Sequence, residues 1–244
     1  TLPKEAALEF EASGGRVRVG GIAKGAGMIR PRMATMLAFL ATDAWVEGAL
    51  LQRLLSRAVE ETFNCITVDG ETSTNDSVIC LANGASGITL SEAAPLGAAL
   101  EEVCSTLAQA IVRDGEGATK FVEVRVRGAL TPQEAKQAAM AIANSLLVKT
   151  ALFGEDPNWG RILAAAGASG ARLNPERLTL EVGGVKIAEG GRAASGQWEE
   201  PARKALKEKS ISLCLDMGLG QGESRVWTTD LSTDYVNLNA RYST

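Results

Sequence analysis

The chain has 244 residues, 45% of them hydrophobic and 22% charged, with a net charge of −4. That composition is ordinary for a globular chain of one large or two smaller domains, and the scattered Lys and Arg give no sign of a polyanion partner such as nucleic acid. There is no histidine, so a Ser-His-Asp triad, a Cys-His dyad and a His-rich metal site are excluded within this chain.

The chain starts at Thr1, without a charged-then-apolar leader, and reads as a piece of a longer or processed protein. No apolar run reaches the roughly 18 residues of a membrane span. Segments 7–11 and 16–22 read as two strands around Ser13-Gly14-Gly15. Ala23-Lys24-Gly25-Ala26-Gly27 is a loop of small residues, and the apolar run from Met33 to Ala41 predicts a buried strand. Thr42-Asp43 has the composition of a helix N-cap. It precedes a helical stripe of Leu50, Leu51, Leu54, Leu55, Ala58 and Val59 that runs to about Thr62. Ile66-Thr67-Val68 predicts a short strand, 69–76 a self-bonding polar loop, and Ser77 to Ala82 a further strand. A second helix starts near Ser91, carries Leu96, Leu100, Val103, Leu107 and Ile111, and can end at Gly115.

Past a composition break at Gly115-Glu116-Gly117, residues 120–128 alternate as a strand, with Val122, Val124 and Val126 on one side. Thr131-Pro132-Gln133-Glu134 is a capping box with proline at the first helical position. Its helix carries Ala135, Ala139, Ile142 and Leu146 on one face. Asp156-Pro157 starts another helix that ends near Gly167. Leu178, Leu180 and Val182 turn at Gly183-Gly184 into Val185 to Ala188. A charged helix over 199–208 precedes strands near 211–215, 224–229 and 234–240. Strands and helices mix without strict alternation, which predicts α/β or α+β layers in two domains, 1–117 and 118–244.

Without an imidazole, a proton shuttle must be a carboxylate, a lysine or an amino terminus. Four cysteines (Cys65, Cys80, Cys104 and Cys214) lie far apart without a Cys-x-x-Cys pair and read as buried reduced thiols. Thr35, inside Met33-Ala34-Thr35-Met36, has the composition of an ordinary strand threonine. Yet small Ala34 leaves its carbonyl open to attack by the next side chain, and a threonine with its own freed amine is among the few nucleophile–base pairs left. Thr1 also stands at an amino terminus, but its extended, polar surroundings make no pocket. Lys24, between Ala23 and Gly25, has room to face inward, against the usual solvated lysine. Glu116 sits where a helix dipole disfavours negative charge, as a ligand-binding carboxylate can. Residues 69–76 lack EF-hand spacing, and Gly218 to Gly222 is a plain turn because a strand follows it.

Five stretches together resemble the ornithine acetyltransferase family, also called bifunctional glutamate N-acetyltransferase. They are AKGAGMIRPRMATMLAFLATDA (23–44), TFNCITVDGETSTNDS (62–77), RDGEGATKF (113–121), EDPNWGRI (155–162) and DYVNLNARYST (234–244), in family order along nearly the whole chain. The resemblance implies a layered α-β-β-α sandwich of N-terminal-nucleophile character with a second α/β domain, whose last strand and tail return to the active site. It implies a precursor cut between Ala34 and Thr35, an acetyl-Thr35 intermediate, and ping-pong transfer from N-acetylornithine to glutamate in arginine biosynthesis. Some members also accept acetyl-coenzyme A as donor; no other cofactor and no metal is expected. The family's substrate-binding residues match Lys24, Thr35, Glu116, Asn239 and Thr244. For Asn239 and Thr244 the residues alone predict an edge strand and a frayed tail. Family members carry a preceding segment with the oxyanion-stabilising Thr-Gly pair and another substrate-binding threonine, neither of which is in this sequence. Either a companion N-terminal chain supplies them, in a hetero-oligomer of two chain types such as a heterotetramer, in the cytoplasm or an organelle, or the enzyme is incomplete. The alternatives are an N-terminal-nucleophile amidohydrolase or aminopeptidase of similar fold, and a binding domain that has lost the reaction.

Overall fold

A computed structural model of the chain describes residues 2–30, 36–91 and 93–241. They form two compact units, 1–114 and 115–244, both of sheets layered with helices, so the architecture is α/β.

The first unit contains β1 (Glu5–Ala12), β2 (Gly15–Lys24), β3 (Leu37–Thr42), β4 (Trp45–Val46), α1 (Gly48–Glu61), β5 (Ser77–Ala82), β6 (Thr89–Leu90) and α2 (Ala93–Arg113). Its main sheet has the order β1-β2-β3-β5, with β3 and β5 parallel and the other pairs antiparallel; β4 and β6 form a small parallel pair. The predicted hairpin turns at Ser13-Gly14. Alternate residues Val17, Val19, Ala38 and Leu40 are buried on the face where α2 packs, with Leu107 against Gly21. Leu96, Leu100, Leu107 and Ile111 fill the same core, and α1 lies along α2.

Thr42-Asp43 does not cap α1. Thr42 ends β3, and Asp43 Oδ1 accepts the Arg18 N–H at 2.9 Å. The cap is Glu47, whose carboxylate accepts the N–H groups of Ala49 and Leu50; those bonds hold its pKa below the usual carboxylate range. Ile66-Thr67-Val68 is not a strand. A 3-10 turn over Phe63–Cys65 precedes it, and the segment is buried with only an isolated bridge at Ile66, while Val68 N–H bonds the Ile29 carbonyl at 2.8 Å.

The second unit contains β7 (Phe121–Ala129), α3 (Pro132–Asn144), α4 (Leu146–Phe153), α5 (Trp159–Gly167), β8 (Thr179–Val182), β9 (Val185–Glu189), β10 (Arg192–Ala193), α6 (Glu199–Leu206), β11 (Ser210–Asp216), β12 (Gly222–Thr229) and α7 (Thr233–Arg241). The sheet order is β10-β9-β8-β11-β7-β12, with only β11 and β7 parallel. Val122, Val124 and Val126 pack with Leu213, Leu215, Ala135, Ala139 and Ile142 in one core. Thr131 caps α3 through the Glu134 N–H at 3.2 Å.

Three boundaries differ from the sequence reading. Leu146 is exposed and opens a separate helix, α4, capped by Ser145. The next helix begins at Trp159, because Asn158 rather than Asp156 accepts the Arg161 N–H. Residues 234–240 are helical: the alternation of Val236, Leu238 and Ala240 imitates a strand, but the Ser232 hydroxyl accepts the N–H groups of Asp234 and Tyr235 and starts α7. Among the described residues the last strand is thus β12, and the segment carrying Asn239 is a helix.

Candidate active site

One loop holds the chain on both sides of residues 31–35. Asp69 accepts the N–H of Met28 on Oδ2 at 2.7 Å and that of Ile29 on Oδ1 at 3.1 Å, and the Thr72 hydroxyl donates to the Arg30 carbonyl at 3.3 Å. On the far side, buried Asp76 accepts the Met36 N–H and, at 3.0 Å, the Ser73 hydroxyl, while Ser77 N–H bonds the Met36 carbonyl at 2.9 Å. Bonds from N–H groups to a carboxylate are the stronger kind, and here they pin Met28 at a φ of 54°, a conformation that costs a non-glycine residue about 1–3 kcal/mol. The 69–76 loop therefore does more than bond itself. It keeps internal turns, such as Glu71 N–H to Asp69 Oδ1 at 3.2 Å, and also clips the neighbouring segment at two points.

Lys24 ends β2, and the antiparallel register sets it opposite Leu37, two residues past Thr35 in sequence. Directly opposed residues have Cβ atoms about 5 Å apart. Lys24 is exposed and shares the face of the sheet that α2 does not cover. That face is apolar: Ile22, Phe39, Ile79 and Leu81 are 45–63% exposed, around a shallow groove lined by Ala7, Gly20, Ile22, Phe39, Ala41 and Leu81 among others.

In the second unit, Glu116 and Asn239 meet. Asn239 Nδ2 donates to Glu116 Oε2 at 3.0 Å and to the Tyr235 carbonyl at 3.1 Å. The close approach depends on Gly117, at a φ of 66°, where a Cβ would fall 2.3 Å from Tyr235 N. Beside the pair, Gly117, Asp234, Asn237, Leu238 and Arg241 line a cavity of about 520 Å³. The 228–232 segment is fastened from below. Buried Lys149 donates from Nζ to Thr228 Oγ1 at 3.0 Å and to the Thr229 carbonyl at 2.5 Å, and buried Asp230 accepts the N–H groups of Thr119 and Lys120 at 2.8 and 3.0 Å. Sequence reasoning missed Asp76, Lys149, Asp230 and Ser232. The bonds of Lys149 and Asp230 and the bond from Ser232 to Gly117 reach groups far along the chain, and the Ser73–Asp76 bond lies in a loop without periodicity, so local spacing does not mark them.

Of the five expected site residues, Thr35 and Thr244 lie outside the described residues. Glu116 and Asn239 are joined; Lys24 belongs to the other unit. The cysteines are poor rivals as nucleophiles: burial pushes the Cys104 thiol up to about 12 and Cys80 to about 11, so neither holds a useful thiolate fraction near neutrality.

Comparison with known proteins covers the whole chain. The sequence profile of the ArgJ family matches residues 1–244. The chain is 52% identical to the arginine biosynthesis bifunctional protein ArgJ of Geobacter sulfurreducens, over all of this chain and 63% of that protein. It is 49% identical to the glutamate N-acetyltransferase of Methanocaldococcus jannaschii, again over all of this chain and 63% of that protein. The chain thus spans less than two thirds of the length of these relatives. The crystal structure of arginine biosynthesis bifunctional protein ArgJ from Bacillus halodurans superposes with a TM-score of 0.78 at 41% identity, over 82% of this chain and 96% of that one.

Proposed function

Because the chain belongs to the ArgJ family, we propose that it carries the nucleophile of a self-cleaving acetyltransferase that moves an acetyl group from N-acetylornithine to glutamate. The observation that carries this reading is the strand register. It sets the Lys24 cation opposite Leu37, just past Thr35, whose hydroxyl and freed amine can serve as nucleophile and base in a chain without histidine.

The chemistry has two stages. In the precursor the Thr35 hydroxyl adds to the Ala34 carbonyl, the peptide bond breaks as an ester forms, and water hydrolyses that ester. Ala34 keeps a carboxylate, and Thr35 keeps its hydroxyl and gains a free α-amine. An α-amine has a pKa of about 7.7–8, which suits a general base near neutrality. In the second stage this amine takes the hydroxyl proton as the oxygen attacks the acetyl carbonyl of N-acetylornithine. The proton passes to the departing ornithine nitrogen, leaving acetyl-Thr35. Glutamate's amine then attacks the ester, and the acetyl group leaves as N-acetylglutamate. Lys24 and Glu116 supply one charge of each sign for substrates that carry carboxylate and ammonium groups. Asn239 and Thr244 complete the binding set.

The missing parts of such a site belong, in this reading, to a preceding segment of the polypeptide. It supplies the oxyanion donors and a second sheet that lies on the open apolar face of β2, β3 and β5. That makes a hetero-oligomer of two chain types, acting on soluble amino acids in the cytoplasm. No described helix is long and apolar enough to cross a membrane. After the cut, β2 stays paired with β3 through the sheet, so the two pieces remain together until denatured.

Intact-protein mass under denaturing conditions tests the first stage: pieces 1–34 and 35–244 are expected, and a single uncut species that turns over N-acetylornithine sinks the base assignment. Mixing N-acetylornithine with glutamate tests the second. N-acetylglutamate is expected, whereas dominant release of free acetate makes the protein an amidohydrolase.

A further inference from the structure

We propose that Ser232 is a positioning residue for substrate binding, because its hydroxyl ties the loop that carries Glu116 to the helix that carries Asn239. The inference rests on the functional reading above and adds a residue to it. A serine hydroxyl has one hydrogen to donate and two lone pairs to accept with. At Ser232 all three are committed. The hydroxyl donates to the Gly117 carbonyl at 2.6 Å, and it accepts the N–H groups of Asp234 at 3.1 Å and Tyr235 at 3.4 Å. The first partner lies next to Glu116; the other two are the first turn of α7, one turn before Asn239.

The surroundings make this a designed junction rather than a passing surface contact. Ser232 is buried. The Cβ that Gly117 lacks would sit 3.0 Å from the Ser232 hydroxyl and 2.7 Å from Tyr235 Cα, so the loop and the helix touch backbone to backbone. Asp230, two residues earlier, holds the far end of the same loop through Thr119 and Lys120. An ordinary N-cap needs only its bonds to the helix. The third bond, back to Gly117, has no part in helix formation and fixes the separation of the Glu116 carboxylate and the Asn239 amide.

The test is steady-state transfer from N-acetylornithine to glutamate by the polypeptide extended to the length of its relatives. Ser232→Ala is expected to raise KM about tenfold while kcat changes less than about threefold. Its self-cleavage is expected at the wild-type extent, because the cut lies in the other unit. Ser232→Thr keeps the hydroxyl and is expected to recover most of the loss. The double variant Ser232→Ala with Asn239→Ala is expected to have the same KM as Asn239→Ala alone, since one hydroxyl acts through that amide. A wild-type KM in a folded Ser232→Ala protein, no recovery with threonine, or independent effects in the double variant each overturns the inference. If Ser232→Ala does not fold, Ser232→Cys, nearly isosteric with a weaker donor, takes its place, and a wild-type KM there overturns it too. If the wild-type protein makes no N-acetylglutamate, the functional reading fails instead.

Discussion

The two units treat the second face of their sheets in opposite ways. In the first unit α2 covers one face, and the other presents Ile22, Phe39, Ile79 and Leu81 to solvent. In the second unit, α3 covers one face of β7 and β12, and the other carries charged and aromatic partners. Arg125 pairs with Glu223, Arg127 pairs with Asp216 at 2.9 Å, Trp227 donates to Glu123 at 2.9 Å, and Arg225 stands 4.8 Å over the Trp227 ring. The strand sequences show the same contrast. Phe121–Ala129 reads FVEVRVRGA and alternates apolar with charged, whereas Leu37–Thr42 and Ser77–Ala82, LAFLAT and SVICLA, are apolar on both sides. Strands of the second kind are found where both faces are covered. The lesson is that one unit balances apolar and charged faces on its strands, while the other, which bears Thr35, leaves one apolar sheet face open.

Substitutions can break or sharpen that contrast. Thr35→Ala has the largest expected effect. It should abolish self-cleavage and lower transfer at least about 10³-fold, while thermal unfolding stays close to wild type. A Thr35→Ala protein that still yields the two pieces contradicts self-attack. Ile142→Ala, in the fully buried core of the second unit, should do the reverse. Denaturant unfolding should show a loss of about 2–5 kcal/mol, with the cut still made. An unchanged midpoint would mean that this core is looser than its burial indicates.

Phe39→Ser tests the open face directly. In the 244-residue chain alone it should cost less than about 1 kcal/mol and reduce binding of a hydrophobic dye. In the polypeptide extended to the length of its relatives it should cost more, about 2–4 kcal/mol, because the ring is then buried. Equal losses in the two forms would remove the argument that this face is a docking surface. Arg125→Ala is the small end of the scale. The Arg125–Glu223 pair is about half exposed on both sides, and exposed pairs contribute about 0–1 kcal/mol. Its loss should be the same in both forms and should shrink further in high salt.

Much of the fold was legible because it is periodic. The α1 stripe and the alternation in β7 carry their own signatures, since one helix turn or one strand pleat brings like residues to one side. The errors fell where periodicity misleads or is absent. Val236 and Leu238 alternate like strand residues, yet they lie on a helix with both side chains more than half exposed. α4 follows α3 after a single residue, and no sequence gap announces it. The site divides along the same line. The missing imidazole, the small residues before Thr35 and the glycines around Glu116 all point locally to chemistry. No local signal joins Glu116 to Asn239, which lie 123 residues apart, or assigns Asp76 to the Met36 backbone.

By itself, then, the chain determined which residue types were available for catalysis, where its regular strands and helices run, and that one set of strands is apolar on both sides. These are properties of composition and of repeats a few residues long. Only the tertiary structure decided which carboxylate meets which amide, which loop clips residues 28–30 and Met36, and that residues 233–241 form a helix. The first two rest on hydrogen bonds between groups tens of residues apart, and the helix on a local cap at Ser232 that the strand-like alternation of Val236 and Leu238 masks in the sequence.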